Sequence, residues 1–235
     1  MTIIMYERVG FEQRRPSPFS WRIRYALTHK GLEVDYRPTR FADVETIKQL
    51  SGQRFVPIIV DGTTVVHDSW RIATYLEDRF PDRPALFGDD AARAGARFIN
   101  LWADTLLVTL RRLMYADFVW CLAPEDRAYF RESREKELGQ TLEAACTGRP
   151  QWQARFETVC RPVERLLADQ EFLAGSHPRY SDYSVFSVFQ WARLGSPHEV
   201  VKPDTALARW RSRMIALFDG LADRFPPYPI DRHET

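Results

Sequence analysis

The pattern of apolar and polar positions divides the chain into two unlike parts. Ile3, Ile4, Met5 and Tyr6 form a short apolar run of strand-forming types, suited to a strand buried on both faces. Gly10 and Arg14-Arg15-Pro16-Ser17-Pro18 interrupt it, and Trp21 to Lys30 then carries a helical pattern that Gly31 ends. Leu32 to Pro38 reads as a second strand with Val34 and Tyr36 on one face, and the helix between the two strands implies a parallel pair. Val44, Ile47 and Leu50 recur every three residues, which predicts a short helix with one apolar side. Phe55 to Val60 is a strand with Pro57 at its entry, where no ladder donor is needed, and Asp61-Gly62 reverses the chain into Thr63-Thr64-Val65-Val66. Asp68 is placed to cap a helix over Trp70 to Phe80, with Ile72, Ala73, Leu76 and Phe80 along one side and Pro81 and Pro84 ending it.

The predicted order is therefore β-α-β-α-β-β-α, a thioredoxin-like α/β domain over residues 1–82 whose mixed sheet is covered by helices on both faces. The proline-rich break and Phe87-Gly88-Asp89-Asp90 suggest a linker over 83–92. From there to residue 235 strand signals are sparse, and an all-helical domain is expected. Its helices are predicted at 93–119, 124–144, 151–168, 182–194 and 204–221, punctuated by Pro124, Pro150, Gly175, Pro197, Pro203 and Pro226-Pro227. The first carries Phe98, Leu101, Trp102, Leu106, Val108, Leu110, Leu113 and Met114, so it is expected to be central and to line a cleft facing the first domain. The helix over 151–168 is more amphipathic and is expected to pack outside it.

Composition narrows the function. At 45% hydrophobic residues a 235-residue chain can bury a sizeable core. The formal charge of +1, from 33 basic and 32 acidic residues, provides no global field for nucleic acid or anionic lipid. Cys121, Cys146 and Cys160 show neither CxxC nor zinc-ligand spacing, so no metal site is expected and a reducing compartment fits. No run approaches the roughly 20 apolar residues of a membrane span, and a cytoplasmic location is the expectation.

Motifs then carry the argument further. Ser17-Pro18-Phe19-Ser20-Trp21-Arg22-Ile23-Arg24-Tyr25-Ala26-Leu27, then Val56-Pro57, Asp68-Ser69 and Tyr75-Leu76 with Phe80-Pro81, resemble the serine-type cytosolic glutathione transferases. Ser17-Pro18-Phe19-Ser20-Trp21-Arg22 with Ala26 to Gly31 and Val66-His67-Asp68-Ser69-Trp70, supported by Tyr75 to Pro84, looks like the bacterial β-aryl-etherase branch and its fungal relatives. The resemblance implies glutathione as co-substrate, a hydrophobic second substrate and a homodimer. Trp102 and Arg93 fit core and solvent positions as well as a dimer face.

By this resemblance, Ser17 at the start of a helix would donate a hydrogen bond to the glutathione sulfur and favour the thiolate, helped by the free N–H groups of the first turn. Ser20, in that first turn, is the alternative donor. The residues themselves leave open that Ser17 only caps the helix, with Pro18 in the first-turn position. The resemblance implies a cis bond before Pro57, freeing the Val56 amide and carbonyl for the cysteinyl backbone; an ordinary strand-entry proline is the plainer alternative. Ser69 would receive the γ-glutamyl carboxylate, while Asp68 would cap or meet the α-amino group. Arg54, or Lys48 or Gln53, would neutralise the glycyl carboxylate. Thioredoxins, glutaredoxins and cysteine-type transferases use a cysteine at this helix start, and none is present here.

Tyr6, Phe11, Trp102, Tyr115, Phe118, Trp120, Phe189 and Trp191 are candidates for an aromatic cleft, although most aromatic side chains of a helical domain are core. Arg179-Tyr180-Ser181-Asp182 stands where transferases usually place a Ser, Thr or Asn cap, so half of the reciprocal capping box is expected to be missing. Two other classes stay open: a non-catalytic binding or regulatory protein of the same fold, and a glutathione-dependent isomerase. The isomerase branch shares Ser-x-x-Ser-Trp-Arg but has cysteine after paired serines, where this chain has Pro18-Phe19.

Overall fold

A computed structural model describes residues 2–228; Met1 and residues 229–235, the end of the expected helical domain, lie outside it. Strand β1 (Ile3–Arg8) leads through a 3-10 turn at Phe11–Gln13 to α1 (Pro18–His29), then β2 (Val34–Thr39) and α2 (Val44–Ser51). The hairpin β3 (Ile58–Asp61) and β4 (Thr64–His67) follows, and α3 (Ser69–Arg79) closes the α/β part. The sheet order is β2-β1-β3-β4, with β1 parallel to β2 and antiparallel to β3, and β3 antiparallel to β4. This is the expected thioredoxin-like arrangement, with the second strand shifted toward Thr39 and the third starting after Pro57.

The first strand departs from expectation on one face. Ile3 and Met5 join Ile59 in the large core beneath α1 and α3, whereas Tyr6 meets the smaller cluster of Ile47, Val56 and Ile58 and is only half-buried. That side is covered by α2, whose eight residues are too short to bury it fully.

The remainder is helical: α4 (Asp90–Phe118), α5 (Pro124–Leu138), α6 (Leu142–Ala145), α7 (Arg149–Asp169), α8 (Tyr180–Gly195) and α9 (Ala206–Gly220). The Asp89 side chain caps α4, so that helix begins inside the expected linker. The helix expected over 124–144 breaks at Gly139, which takes a left-handed φ of 68°, and Thr141 caps a new short helix through Ala144 N at 3.2 Å. Helix α9 loses helical geometry at Leu217, Phe218 and Asp219. Helix α7 packs outside α4 as expected, with Phe156, Cys160, Val163 and Leu167 buried on its inner side.

Helix α4 requires the largest correction. It is central along Ala103, Leu106, Leu110, Leu113 and Met114, but Phe98, Leu101 and Val108 are 72%, 49% and 61% exposed. At 100° per residue these three fall in one sector, away from the buried side. The number of apolar residues was thus a sound guide to burial on one side only.

Helix α8 is buried along nearly its whole length. Its cap is Arg179, and Asp182 Oδ2 accepts from Arg179 N at 3.1 Å, the half of the capping box the sequence retains. Asp182 Oδ1 accepts from Leu173 N at 2.7 Å and from Trp210 Nε1 at 2.9 Å, tying the loop before α8 and helix α9 to one carboxylate.

The seam between the two parts is itself built from buried polar groups. Arg22 on α1, with no exposed surface, donates to Asn100 Oδ1 at 3.0 Å, Asp104 Oδ1 at 2.7 Å and Ser187 Oγ at 3.2 Å. Tyr25 Oη donates to Met214 O at 2.9 Å, Tyr180 Oη to Ser69 O at 3.0 Å, and Asp126 on α5 accepts from Phe41 N and Ala42 N.

Candidate active site

The loop from β1 to α1 is fixed before it reaches Ser17. Gly10 packs so tightly that a Cβ there would lie 2.2 Å from the Cys121 carbonyl oxygen. Arg14 Nε donates to Pro227 O at 2.8 Å, Trp21 Nε1 to Arg15 O at 2.8 Å, and buried Glu7 binds both Arg15 and Arg24. Ser17 is therefore delivered to the start of α1 by a rigid loop.

Ser17 Oγ accepts from Ser20 N at 3.2 Å and so caps the helix. That contact uses an oxygen lone pair, and the hydroxyl hydrogen has no acceptor among the described residues. Pro18 has no N–H, Trp21 N donates to Ser17 O at 3.2 Å, and Phe19 N–H is left without an acceptor among the described residues. Two donors thus stand together at the positive end of α1. Capping and donation are compatible in one side chain.

Ser17, Pro18 and Phe19 form one wall of a cavity of about 450 Å³ between the α/β and helical parts. The opposite walls include Leu107, Arg111, Tyr115 and Phe118 of α4, Tyr129, Phe130 and Arg134 of α5, and Trp191 of α8. Arg54, Phe55 and Val56 form the rim nearest the sheet. The Val56-Pro57 bond is cis, and the Val56 amide and carbonyl make no hydrogen bond among the described residues.

Asp68 and Ser69 do not line this cavity, but the register puts them beside it: Ile58 pairs with His67, so the residues flanking the hairpin lie next to Val56-Pro57. Asp68 has a left-handed φ of 73°, and its Oδ1 accepts from Arg71 N at 3.0 Å, capping α3. Ser69 begins that helix. Ser20 is buried, its Oγ has no partner among the described residues, and it does not reach the cavity. Lys48 pairs with Glu45 at 2.8 Å and Gln53 folds onto Ser51 and Phe55, so neither lines the cavity.

Of the eight aromatic candidates, Tyr115, Phe118 and Trp191 line the cavity, while Phe189 packs against Phe156 and Trp210 in the core. Tyr6, Phe11, Trp102 and Trp120 are absent from the lining. The sequence reading missed Phe19, Phe41, Phe55, Tyr129 and Phe130, and also Arg8, Arg111 and Arg134. Burial pushes the Tyr115 hydroxyl up from its ordinary value, against the pull of Arg111 and Arg134, so it stays a neutral donor at pH 7. Burial likewise pulls the Arg8 guanidinium down, with Asp43, Asp126 and Tyr129 opposing, and a guanidinium remains charged all the same.

Independent matches decide the family. The description "Glutathione S-transferase, N-terminal domain" matches residues 16–79, and "Glutathione S-transferase, C-terminal domain" matches residues 95–216. The chain belongs to the glutathione S-transferase family. Over 92 residues it is 38% identical to Glutathione S-transferase Z2 of Arabidopsis thaliana, covering 37% of this chain and 40% of the relative. Over 100 residues it is 35% identical to the Probable maleylacetoacetate isomerase of Caenorhabditis elegans, covering 41% and 47%. These alignments thus span less than half of each relative. Nearly the whole fold is shared with glutathione transferase GSTFuA2 of Phanerochaete chrysosporium, at a TM-score of 0.74 and 27% identity, covering 96% of this chain and 95% of that one. Within this transferase-family fold the cavity lies where the two matched regions meet, walled by α1 on one side and by α4, α5 and α8 on the other. Among the described residues no helix is long and apolar enough to cross a membrane, and no cluster of metal-binding side chains occurs.

Proposed function

We propose that the chain is a glutathione transferase that binds glutathione along Val56-Pro57 and presents its sulfur to Ser17 as a thiolate, which attacks a hydrophobic, aromatic electrophile in the cavity. The observation that carries this reading is the Ser17 hydroxyl, which caps α1 through its oxygen while its hydrogen, like the neighbouring Phe19 N–H on the cavity wall, has no acceptor among the described residues. In this reading the Val56 amide and carbonyl meet the cysteinyl backbone, Ser69 and Asp68 receive the γ-glutamyl end, and Arg54 neutralises the glycyl carboxylate. Conjugation forms a carbon–sulfur bond and expels the leaving group with its electron pair. If the electrophile is a β-aryl ether, the departing group is a phenolate.

The test is ultraviolet titration of bound glutathione together with turnover of aryl ethers, halonitrobenzenes and organic peroxides. The thiol, ordinarily near pKa 8.5, is expected to ionise about one to two units lower when bound, with conjugation of at least one electrophile class. Binding with an unshifted thiol and no turnover would instead mark a non-catalytic binding protein. The similarity to the nematode isomerase favours one second reading, in which the thiolate adds to a conjugated double bond and is released after rotation. Glutathione is consumed in conjugation and regenerated in isomerisation, so its stoichiometry separates the two.

The exposed stripe of Phe98, Leu101 and Val108 on α4, with exposed Phe55 near the rim, supports a homodimer. Phe98→Glu is expected to lower the mass in analytical ultracentrifugation from twice that of the chain to 27.5 kDa, the mass of one chain. An unchanged sedimentation profile would remove this face as the contact.

A further inference from the structure

The cavity's charge is out of step with that of the chain. Basic and acidic residues nearly cancel overall, at 33 and 32, yet the cavity wall carries Arg8, Arg54, Arg111 and Arg134 against Glu137 alone. Every one of these guanidiniums lies over a ring of the same wall. Arg8 is 5.2 Å from the centroid of Phe41, Arg54 5.2 Å from Phe55, Arg111 5.9 Å from Tyr115 and Arg134 5.4 Å from Phe130. A guanidinium held over a ring still has N–H groups to offer an acceptor in its plane.

The acceptors present do not use that capacity up. Glu137 is shared, with Oε1 2.9 Å from Arg111 and Oε2 2.9 Å from Arg134, so one carboxylate serves two cations. Buried Arg8 is held by Thr39 and by the carbonyls of Arg40 and Arg54, and makes no ion pair among the described residues, although Asp43 and Asp126 partly offset its charge. Glutathione would occupy Arg54 in the reading above. An excess of positive charge, interleaved with Tyr115, Phe118, Phe130 and Trp191, is left on the side of the second substrate.

We propose that the second substrate is an aromatic or conjugated carboxylate, with its ring among those four side chains and its carboxylate on Arg111 and Arg134. Glu137 then holds the two guanidiniums in place and competes with the incoming acid. The chemistry of this proposal rests on the transferase reading, while its binding claim stands on the cavity alone.

Calorimetric titration with chloronitrobenzoate and chloronitrobenzene, probes identical but for the carboxylate, tests it directly. The acid is expected to bind about tenfold more tightly, as a bidentate charge-assisted contact requires. In Arg111→Gln/Arg134→Gln the preference should fall below about twofold, whereas Arg127→Gln, whose guanidinium lies over Trp120 outside the cavity lining, should keep it. Glu137→Gln keeps all four guanidiniums and should tighten acid binding by about threefold or more, which tests the idea even if the double variant does not fold. Equal or weaker binding of the acid by the unaltered protein, or a preference that survives in the double variant, overturns the proposal. With both probes, glutathione attack would form a carbon–sulfur bond and release chloride with the bonding pair. Acid preference without conjugation of either ring would overturn the transferase reading and uphold the anion site; conjugation of the neutral ring without acid preference would do the reverse.

Discussion

Ser17→Ala is expected to lower kcat/KM for conjugation by about 10- to 100-fold and to move the pH–rate profile about one to two units toward alkali. The reason is that a hydrogen bond to a charged acceptor is worth about 1.5–3 kcal/mol, and in the proposed reading Ser17 makes it only to the thiolate form. Losing it raises the pKa of the bound thiol, so a given rate is reached only at higher pH. The same substitution removes the cap on α1, at a cost of about 1 kcal/mol. Ser17→Thr keeps both the cap and the hydroxyl, so recovery of the profile in that variant separates thiol activation from helix stability. Ser20→Ala should leave the profile in place, because the Ser20 hydroxyl is buried away from the cavity. An alkaline shift in the Ser20 variant and none in the Ser17 variant would reverse the assignment.

Asp182→Ala is expected to destabilise the protein by about 3 kcal/mol or more without altering the chemistry of the cavity. The carboxylate accepts from Leu173 N, Arg179 N and Trp210 Nε1, and alanine strands the first and last in the interior at about 1–3 kcal/mol each and frees the half-buried Arg179 N. Burial pushes the carboxyl up from its ordinary value while these donors pull it down. For a chain of this length each kcal/mol lowers the melting temperature by about 2–4 °C, so a drop of about 6–12 °C is anticipated by calorimetry. A melting temperature within a degree or two of the unaltered protein would show that the network carries no such weight.

What could be read in advance was what is encoded locally. The Asp61-Gly62 reversal, the Asp68 cap and the Gly31 stop each depend on the conformational preference of one or two residues, and each sits where its neighbours in sequence dictated. The side to which α4 presents Phe98 was not encoded in this way. Apolar side chains at 98, 101 and 108 satisfy a core pattern as well as an exposed one, and only the docking of α7 and α8 decides between them. The site divides along the same line. Ser17 and Val56 follow turn and proline signals and were nameable, and both reach the cavity wall. Arg8, Arg111 and Arg134 come from β1, α4 and α5 and meet only on tertiary packing. Along the chain, Arg134 lies in a run of alternating charge from Arg131 to Glu137 that looks like an ordinary wetted helix face.

The polar seam through Arg22, Tyr25 and Tyr180 means that the two halves cannot swing apart on a hinge to admit a guest. Opening would break the contacts of Arg22 with Asn100, Asp104 and Ser187 and expose the apolar packing of α1 against α8, a loss of several kcal/mol for each excursion. Guests must instead pass the side chains already standing around the cavity, of which Phe55 is exposed and Arg111 and Arg134 are tethered to Glu137. The molecule then behaves as a fixed vise, and a guest is chosen by its fit between the jaws.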